Sequence, residues 1–330
     1  MKRIADLLIE RTEPFYDEAP SDQYGTAPED RSLELHLEYG FVPLDKPPDH
    51  TSFEVVSWVK KMLGASKAGH SGTLDPNASG LLPVGINSAT KALSALLLGP
   101  KEYIAAMKLH GEVPEDKVRE AVMMFNGMIY QRPPVRSNVK RNLRIRRVYE
   151  IEILENYGRF YLLRLLVESG TYIRKIIYDV GELLQVGATL VDLRRTRVAN
   201  YTEENGLVRL QDIWDAINRY KEKGDYSRLK EVVKPIEVAL THLKPIIIKN
   251  SAVGAVCNGA PLALPGVSRA DPTIEANDWV ALYTVKGEIV AIGKAAVSYA
   301  DMESMQRGVV VNIDRVIMKQ GTYPRIWKAH

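Results

Sequence analysis

The sequence predicts an α+β fold: a mixed β-sheet domain flanked by helices, followed by a small C-terminal β pseudo-barrel. Three observations carry this expectation. "VYEIEILENYGRFYLLRLLVES" reads as two strands joined at Asn156-Tyr157-Gly158, with glycine free to take positive φ. "GTYIRKIIYDVGELL" follows at once, with Ile173, Ile176, Ile177, Val180 and Leu184 at helical spacing. Near Leu243–Pro245 the texture changes to short strands, "PIIIKN", "WVALYTV", "EIVAIG" and "GVVVNI", punctuated by Gly259, Pro265-Gly266, Gly287 and Gly308. Helices interleaved with hairpin strands make the first part an α+β sheet domain.

Taken in order, residues 1–40 read as an irregular arm with one short helix over 4–11 and a turn-rich "APSDQYGTAPED". The body opens at "GFVPLDKPPDHTS", whose prolines impose an extended path. Thr51 or Ser52 caps a helix running to Leu63, with Val55, Val56, Val59, Met62 and Leu63 on one face and Gly64 as its stop. A glycine-rich loop, "GHSGTLDPNASG", precedes a short apolar helix, "ATKALSALLLG". "KEYIAAMKLHG" reads as a strand, and Pro114 opens a helix through Phe125. After the hairpin and the 173–184 helix, "YKEKGDYSRLKEVVKP" is polar and helical. One helix, over 251–257, interrupts the C-terminal strands.

Composition bounds the function. At 330 residues two domains are expected, and 45% apolar with 26% charged residues describes an ordinary globular chain. No apolar run approaches the ~18 residues of a membrane span. Asp6 and Glu10 interrupt the N-terminal apolar stretch, which argues against a leader. With Cys257 the only cysteine there is no internal disulfide and no cysteine zinc cluster, and a reducing, cytoplasmic setting is expected. The net charge of +3 says nothing by itself, but its distribution is uneven. "RPPVRSNVKRNLRIRR" holds Arg132, Arg136, Lys140, Arg141, Arg144, Arg146 and Arg147 without an acid, and "LRRTR" adds a second cluster around Arg194. Such clusters repel themselves unless an anion neutralises them, so basic surface suited to RNA is one reading and a solvated face the other.

The chemistry points to Asp75. An Asp-Pro pair ordinarily starts a turn. Here Pro76 holds Asp75 extended while Gly69 and Gly72 let the chain bend sharply, so the loop presents one carboxylate without crowding it. Arg174 stands in a first helical turn, where a cation opposes the helix dipole, so it is either a tolerated surface arginine or one aimed at an anion across the sheet. Tyr103 is either a core aromatic or a ring for stacking on a base. His70 alone suggests nothing beyond a loop position. No phosphate-binding loop, dinucleotide fingerprint or His-Glu-x-x-His is present, which leaves chemistry by a carboxylate, without cofactor or metal.

"DKPPDHTSFEVV", "AGHSGTLDPNASGLLPV", "KEY", "QRPPVRSNVKR" and "GTYIR" together resemble the TruB-type pseudouridine synthase family, in its dyskerin branch. "NSAVGAVCNGAPLALPGV" and "DWVALYTVKGEIVAIGKA" resemble a PUA domain, an RNA-binding pseudo-barrel. The resemblance implies an N-terminal arm over residues 1–32 packed on the PUA domain, a pseudouridine synthase domain over 33–245 and the PUA domain over 246–330. It implies that Asp75 is the catalytic aspartate, that Tyr103 stacks near the flipped base and that Arg174 pairs with the carboxylate. His70, Tyr172 and Leu193 then line the pocket. Arg132, Arg136, Lys140, Arg141, Arg144, Arg146, Arg194, Gly259, Ala260, Pro265 and Gly266 contact RNA. The implied activity is isomerisation of rRNA, and of tRNA as a further substrate class, with no cofactor.

The implied partners are a box H/ACA guide RNA, a small zinc-ribbon-like subunit on the catalytic domain, a β-barrel subunit of the glycine–arginine-rich family and a kink-turn-binding ribosomal-type protein. A stand-alone tRNA pseudouridine synthase and a non-catalytic RNA-binding scaffold are the alternatives. Asn77, Asn138, Asn200 and Asn277 depart from the family pattern, the last where glycine is usual.

Overall fold

The computed structural model describes residues 2–132 and 142–325. Among the described residues its larger sheet runs in the order Lys234–Pro235, Gly40–Lys46, Ser79–Ile86, Ala188–Val198, Lys101–Leu109, Phe160–Val167, Arg144–Tyr157 and Gly127–Gln131, with two short strands beside this path, Ala68–His70 on Ser79–Ile86 and Tyr201–Thr202 on Ala188–Val198. Neighbours are antiparallel except at one seam. There Ser79–Ile86 meets Ala188–Val198 in parallel through only Ser79 opposite Arg194 and Gly80 opposite Arg195. The loop bearing Asp75 enters the sheet at this seam.

Two helical layers cover the sheet's apolar faces. Ile173, Ile176, Ile177 and Val180 of the helix Ile173–Leu183 pack on Ala105, Met107, Leu163 and Leu165. The helices Ser52–Met62 and Leu210–Lys223 pack Val55, Val59, Ile213 and Ala216 on Val42, Leu44, Leu82 and Val84. Thr51 begins the first of these with a reciprocal capping box to Glu54, which satisfies two otherwise orphaned amides.

The C-terminal sheet is ordered Glu13–Pro14, Val267–Ala270, Lys244–Ile248, Trp279–Thr284, Ile289–Ala295, Val309–Val316 and Leu262–Ala263. Its edge strand Glu13–Pro14 comes from the N-terminal arm. Ile4 and Leu8 of the arm share one core with Phe41 and Leu240 of the first domain and Tyr283 and Ile289 of the second. Inside this junction the Arg31 guanidinium donates to both carboxylate oxygens of Glu237, at 2.6 and 3.1 Å, and the Ile289 amide donates to the same carboxylate at 3.1 Å.

The α+β sheet domain with a C-terminal β domain is as the sequence predicts, and the differences are local. The first helix ends at Ile9, and the 89–99 segment divides into the 3-10 turn Asn87–Ala92 and the helix Leu93–Leu98. Pro114 is the N-cap rather than the first turn of Glu115–Met123. The hairpin turn is tighter than expected, because Tyr157 already pairs with Phe160 around Gly158 at φ +57°. The polar segment is two helices, Leu210–Lys223 and Ser227–Val232, separated by Gly224 at φ +67°. A second C-terminal helix, Tyr299–Ser304, is set by a Ser298–Asp301 capping box. Asn277, noted as standing where glycine is usual, has φ +72°, a conformation asparagine tolerates better than most residues. No helix among the described residues is long and apolar enough to cross a membrane.

Candidate active site

The Asp75 loop is held almost entirely through its backbone. The Ser71 amide donates to the Pro83 carbonyl at 3.0 Å, and the Ala78 amide donates to the Asp75 carbonyl at 3.0 Å. Ser52 Oγ accepts from the Leu74 amide at 3.0 Å and donates to the Leu74 carbonyl at 3.2 Å. Lys46, fully buried, donates to the Pro76 carbonyl at 2.9 Å and the Pro47 carbonyl at 2.7 Å. Burial lowers the Lys46 pKa, and Asp49, Asp75 and Glu54 oppose that shift. Arg195, also buried, donates to the Gly72 carbonyl at 3.0 Å and the Leu81 carbonyl at 2.9 Å. These anchors leave the Asp75 side chain unclamped and 53% exposed. A rigid loop carrying an accessible carboxylate is what attack on, or proton removal from, a bound nucleotide requires.

Gly80 makes the seam possible. It lies at φ +98°, and a Cβ there would stand 2.3 Å from the Arg195 carbonyl oxygen. Only glycine lets the loop rejoin the sheet this close to the residue that clamps it.

Arg174 stands at the second position of Ile173–Leu183 and donates from Nη2 to Asp75 Oδ2 at 2.6 Å. The structure therefore brings together the aspartate and arginine that the sequence singled out. Tyr172 is the extended N-cap of that helix and offers no side-chain cap. Its backbone is bound instead by Gln131: the Tyr172 amide donates to Gln131 Oε1 at 2.9 Å, and Gln131 Nε2 donates to the Tyr172 carbonyl at 3.1 Å.

Tyr103 pairs in register with Arg195, which pairs in turn with Gly80, so its strand position is two strands from the loop's exit. Tyr103 and Leu193 are both half-buried against the core beneath the Arg174 helix. His70 differs from expectation, because it ends the strand Ala68–His70 opposite Val84 instead of lying in the loop. It is half-buried with Nδ1 unpartnered, and burial, then the Arg195 charge, lower its pKa.

The basic clusters are less uniform than the sequence suggests. Arg136, Lys140 and Arg141 lie outside the described residues, and Arg132 is exposed just before them. Arg144 and Arg146 belong to the strand Arg144–Tyr157. Arg146 packs its guanidinium against Gly170 and lies 3.6 Å from Glu168. In "LRRTR" the described neutralising partners are internal. Arg194 is held by Asp45 at 3.0 Å and Glu203 at 2.6 Å, Arg195 is the buried loop clamp, and Arg197 donates to the Ala199 carbonyl. An RNA contact by Arg194 would have to displace two carboxylates. In the C-terminal domain Gly259 and Pro265 are exposed, while Ala260 and Gly266 are half-buried, in the turns after the helix Asn250–Cys257.

Sequence reasoning missed Lys46, Ser52, Arg195 and Gln131. Lys46 had a legible signal, a lysine within an apolar strand that must find partners when buried. The others act on carbonyls and amides, which carry no residue-specific mark. Lys101, next to Tyr103, is a further buried lysine. It donates to the Leu96, Leu97 and Gly99 carbonyls and to Ser169 Oγ, and burial pushes its pKa down to about 7. Among the described residues no three His, Cys, Asp or Glu side chains converge as a metal cage requires.

Comparison with known proteins agrees with this geometry. The TruB family pseudouridylate synthase N-terminal domain matches residues 60–173, the tRNA pseudouridylate synthase B C-terminal domain 174–241, the PUA domain 244–317 and the DKCLD domain 6–56. A relative from Pyrobaculum aerophilum, called a probable tRNA pseudouridine synthase B, is 49% identical over 95% of this chain and 94% of its own. The crystal structure of a Cbf5–Nop10–Gar1 complex contains a chain 45% identical, with TM-score 0.90 over 98% of this chain and 99% of that one. The structure of an H/ACA ribonucleoprotein bound to a substrate RNA containing 2′-deoxyuridine contains one 42% identical, with TM-score 0.89 over 99% and 100%. A loop-borne aspartate, the arginine paired with it and a C-terminal PUA domain thus occur in a chain that belongs to the TruB family of pseudouridine synthases, in its dyskerin-type branch.

Proposed function

We propose that this chain is the catalytic subunit of a guide-directed ribonucleoprotein that isomerises chosen uridines of rRNA to pseudouridine. The observation that carries the reading is the 2.6 Å Arg174–Asp75 pair on a loop pinned by Lys46, Ser52 and Arg195. A uridine inside a helix is out of reach, so the target nucleotide must be swung out of its stack. Tyr103 stacks on it, Leu193, His70 and Tyr172 enclose it, and Arg174 orients it against Asp75. In the isomerisation the C1′–N1 bond breaks, the uracil turns, the C1′–C5 bond forms, the C5 proton leaves and N1 gains one. The balance needs no oxidant or co-substrate. The carboxylate supplies either the transient nucleophile or the base.

Residues 1–32 form the arm on the PUA domain, 33–245 the catalytic domain and 246–330 the PUA domain. The strand pairing of Glu13–Pro14 with Val267–Ala270 supports that arrangement. RNA contacts are assigned to the PUA turns at Gly259, Ala260, Pro265 and Gly266 and to Arg132, Arg136, Lys140, Arg141, Arg144, Arg146 and Arg194, so binding weakens with salt. The partners are the box H/ACA guide, a small zinc-ribbon-like subunit, a glycine–arginine-rich-family β-barrel subunit and a kink-turn-binding protein, and the location is cytoplasmic. The solved relatives with Nop10, Gar1 and substrate RNA support this assembly.

A second reading, stand-alone modification of tRNA, is favoured by the name of the Pyrobaculum aerophilum relative. Tritium release from RNA labelled at uridine C5 separates the two. Release from an rRNA fragment only with guide RNA and partners is expected. Release from tRNA by the chain alone makes the second reading part of its role, and no release from either substrate overturns both.

A further inference from the structure

We propose that Gln131 is a positioning residue for the isomerisation, acting through the main chain of Tyr172 on the Arg174–Asp75 pair. The inference deepens the functional reading above and rests on it. Arg174 is 59% exposed and Asp75 53% exposed, and an ion pair that open to water contributes only ~0–1 kcal/mol. Such a pair cannot set its own geometry. The direction of Arg174 must come from the turn that launches its helix.

That turn is poorly supplied with conventional anchors. Tyr172 cannot cap the helix with its side chain, and none of the first residues is an acid. Ile173 and Ile176 bury the helix body in the core, and the Lys175 and Ile176 amides donate to the Tyr172 carbonyl at 3.1 and 3.2 Å, which ties that carbonyl to the helix but leaves the Tyr172 amide to be held from outside it. Behind Tyr172, Gly170 is at φ +79°, and Thr171 bonds back to the Glu168 carbonyl through its amide at 3.2 Å and its hydroxyl at 2.7 Å. Those bonds hold Thr171.

Gln131 supplies what is missing. Its primary amide carries one acceptor and donors at a spacing that matches the amide and carbonyl of a single residue. The two bonds to Tyr172 close a ring like that of a hydrogen-bonded pair in an antiparallel sheet. Gln131 is 2% exposed while Tyr172 is half-buried, so the Gln131 side of the ring is held inside the protein. Gln131 ends the edge strand Gly127–Gln131, registered on Arg144–Tyr157. The sheet thus fixes Gln131, Gln131 fixes Tyr172, and Arg174 follows two residues later. Glutamine is specific for this task, because asparagine is one methylene shorter and glutamate has no donor for the carbonyl.

The test uses the full chain with guide RNA, partner subunits and 5-tritiated target RNA, under single-turnover conditions at saturating RNA. Gln131→Met, which keeps the volume and removes both bonds, should lower the rate 10- to 100-fold, as expected for a misplaced catalytic group. RNA affinity should stay within about twofold of wild type. Gln131→Glu, which keeps only the acceptor, should fall between the two. The decisive readout is a double-mutant cycle with Arg174→Lys. If Gln131 acts through Arg174, Gln131→Met costs at most about threefold in the Arg174→Lys background. If Gln131→Met does not fold, Gln131→Glu carries the same cycle. A wild-type rate in Gln131→Met, an equal loss in both backgrounds, or a loss explained by weaker RNA binding overturns the proposal. An inactive wild type, or an Asp75→Asn variant as active as wild type, overturns the functional reading itself.

Discussion

The Asp75–Arg174 pair and the Arg31–Glu237 pair share a closest contact of 2.6 Å, yet their surroundings are opposite. The side chains of the first are more than half exposed; those of the second are 2% and 0% exposed. At the junction the pair is sheltered by the arm, the catalytic domain and the C-terminal sheet, and Arg31 also lies 4.9 Å over the Tyr39 ring. Its carboxylate is fully engaged, by both guanidinium arms and by the Ile289 amide. At the candidate site the carboxylate keeps lone pairs open to solvent. The same two side-chain chemistries thus serve architecture where water is excluded and, in the function proposed above, chemistry where it is admitted.

The contrast breaks first at the junction if it is wrong. Arg31→Met leaves Glu237 buried without its cation, which should cost about 3–5 kcal/mol, a fall in melting temperature on the order of 10 °C. Thermal unfolding checks this, and Arg31→Met with Glu237→Leu should recover part of the loss. Next in size, Arg174→Ala should slow single-turnover tritium release on the order of 100-fold while stability changes by less than about 1 kcal/mol. Gly80→Ala tests the seam. Its Cβ would press on the Arg195 carbonyl at positive φ, so a loss of about 1–3 kcal/mol in denaturant unfolding is expected.

The smallest effect, counted per pH unit, concerns Lys101, a buried lysine whose described partners are carbonyls and a hydroxyl. Its folded pKa is about 7, against an ordinary 10.5 when unfolded. Between those values the unfolded chain holds one more proton than the folded one, so stability rises with pH. The burial penalty is complete below pH 7 and is relieved as pH climbs toward 10.5. Lys101→Met should remove up to about 1.4 kcal/mol per pH unit of that slope, measured as the difference between the two unfolding profiles from pH 7 to 10.

Much of this was legible in the sequence where a pattern repeats. The 173–184 periodicity, the alternating hairpin and the Gly-punctuated C-terminal strands each declare their partners through apolar spacing. The strands Ser79–Ile86 and Ala188–Val198 did not. The first is buried along nearly its whole length and so lacks alternation, and it contains Pro83. The second is dominated by "LRRTR", whose charges mask its register. At the site, Asp75 and Arg174 stand out because each is odd in its local setting. Lys46 is odd as a lysine in an apolar strand, but its role, like those of Arg195 and Gln131, is hidden because the partners are main-chain atoms, and main-chain atoms are the same in every sequence.

The most direct measurement is single-turnover tritium release by Asp75→Asn beside its thermal melt, with guide RNA, partners and 5-tritiated target RNA. The account predicts a rate at background, RNA binding within twofold and a melting temperature within about 2 °C of wild type, since the exposed pair contributes little to folding. Release at the wild-type rate, or a melting loss as large as that of Arg31→Met, would contradict it.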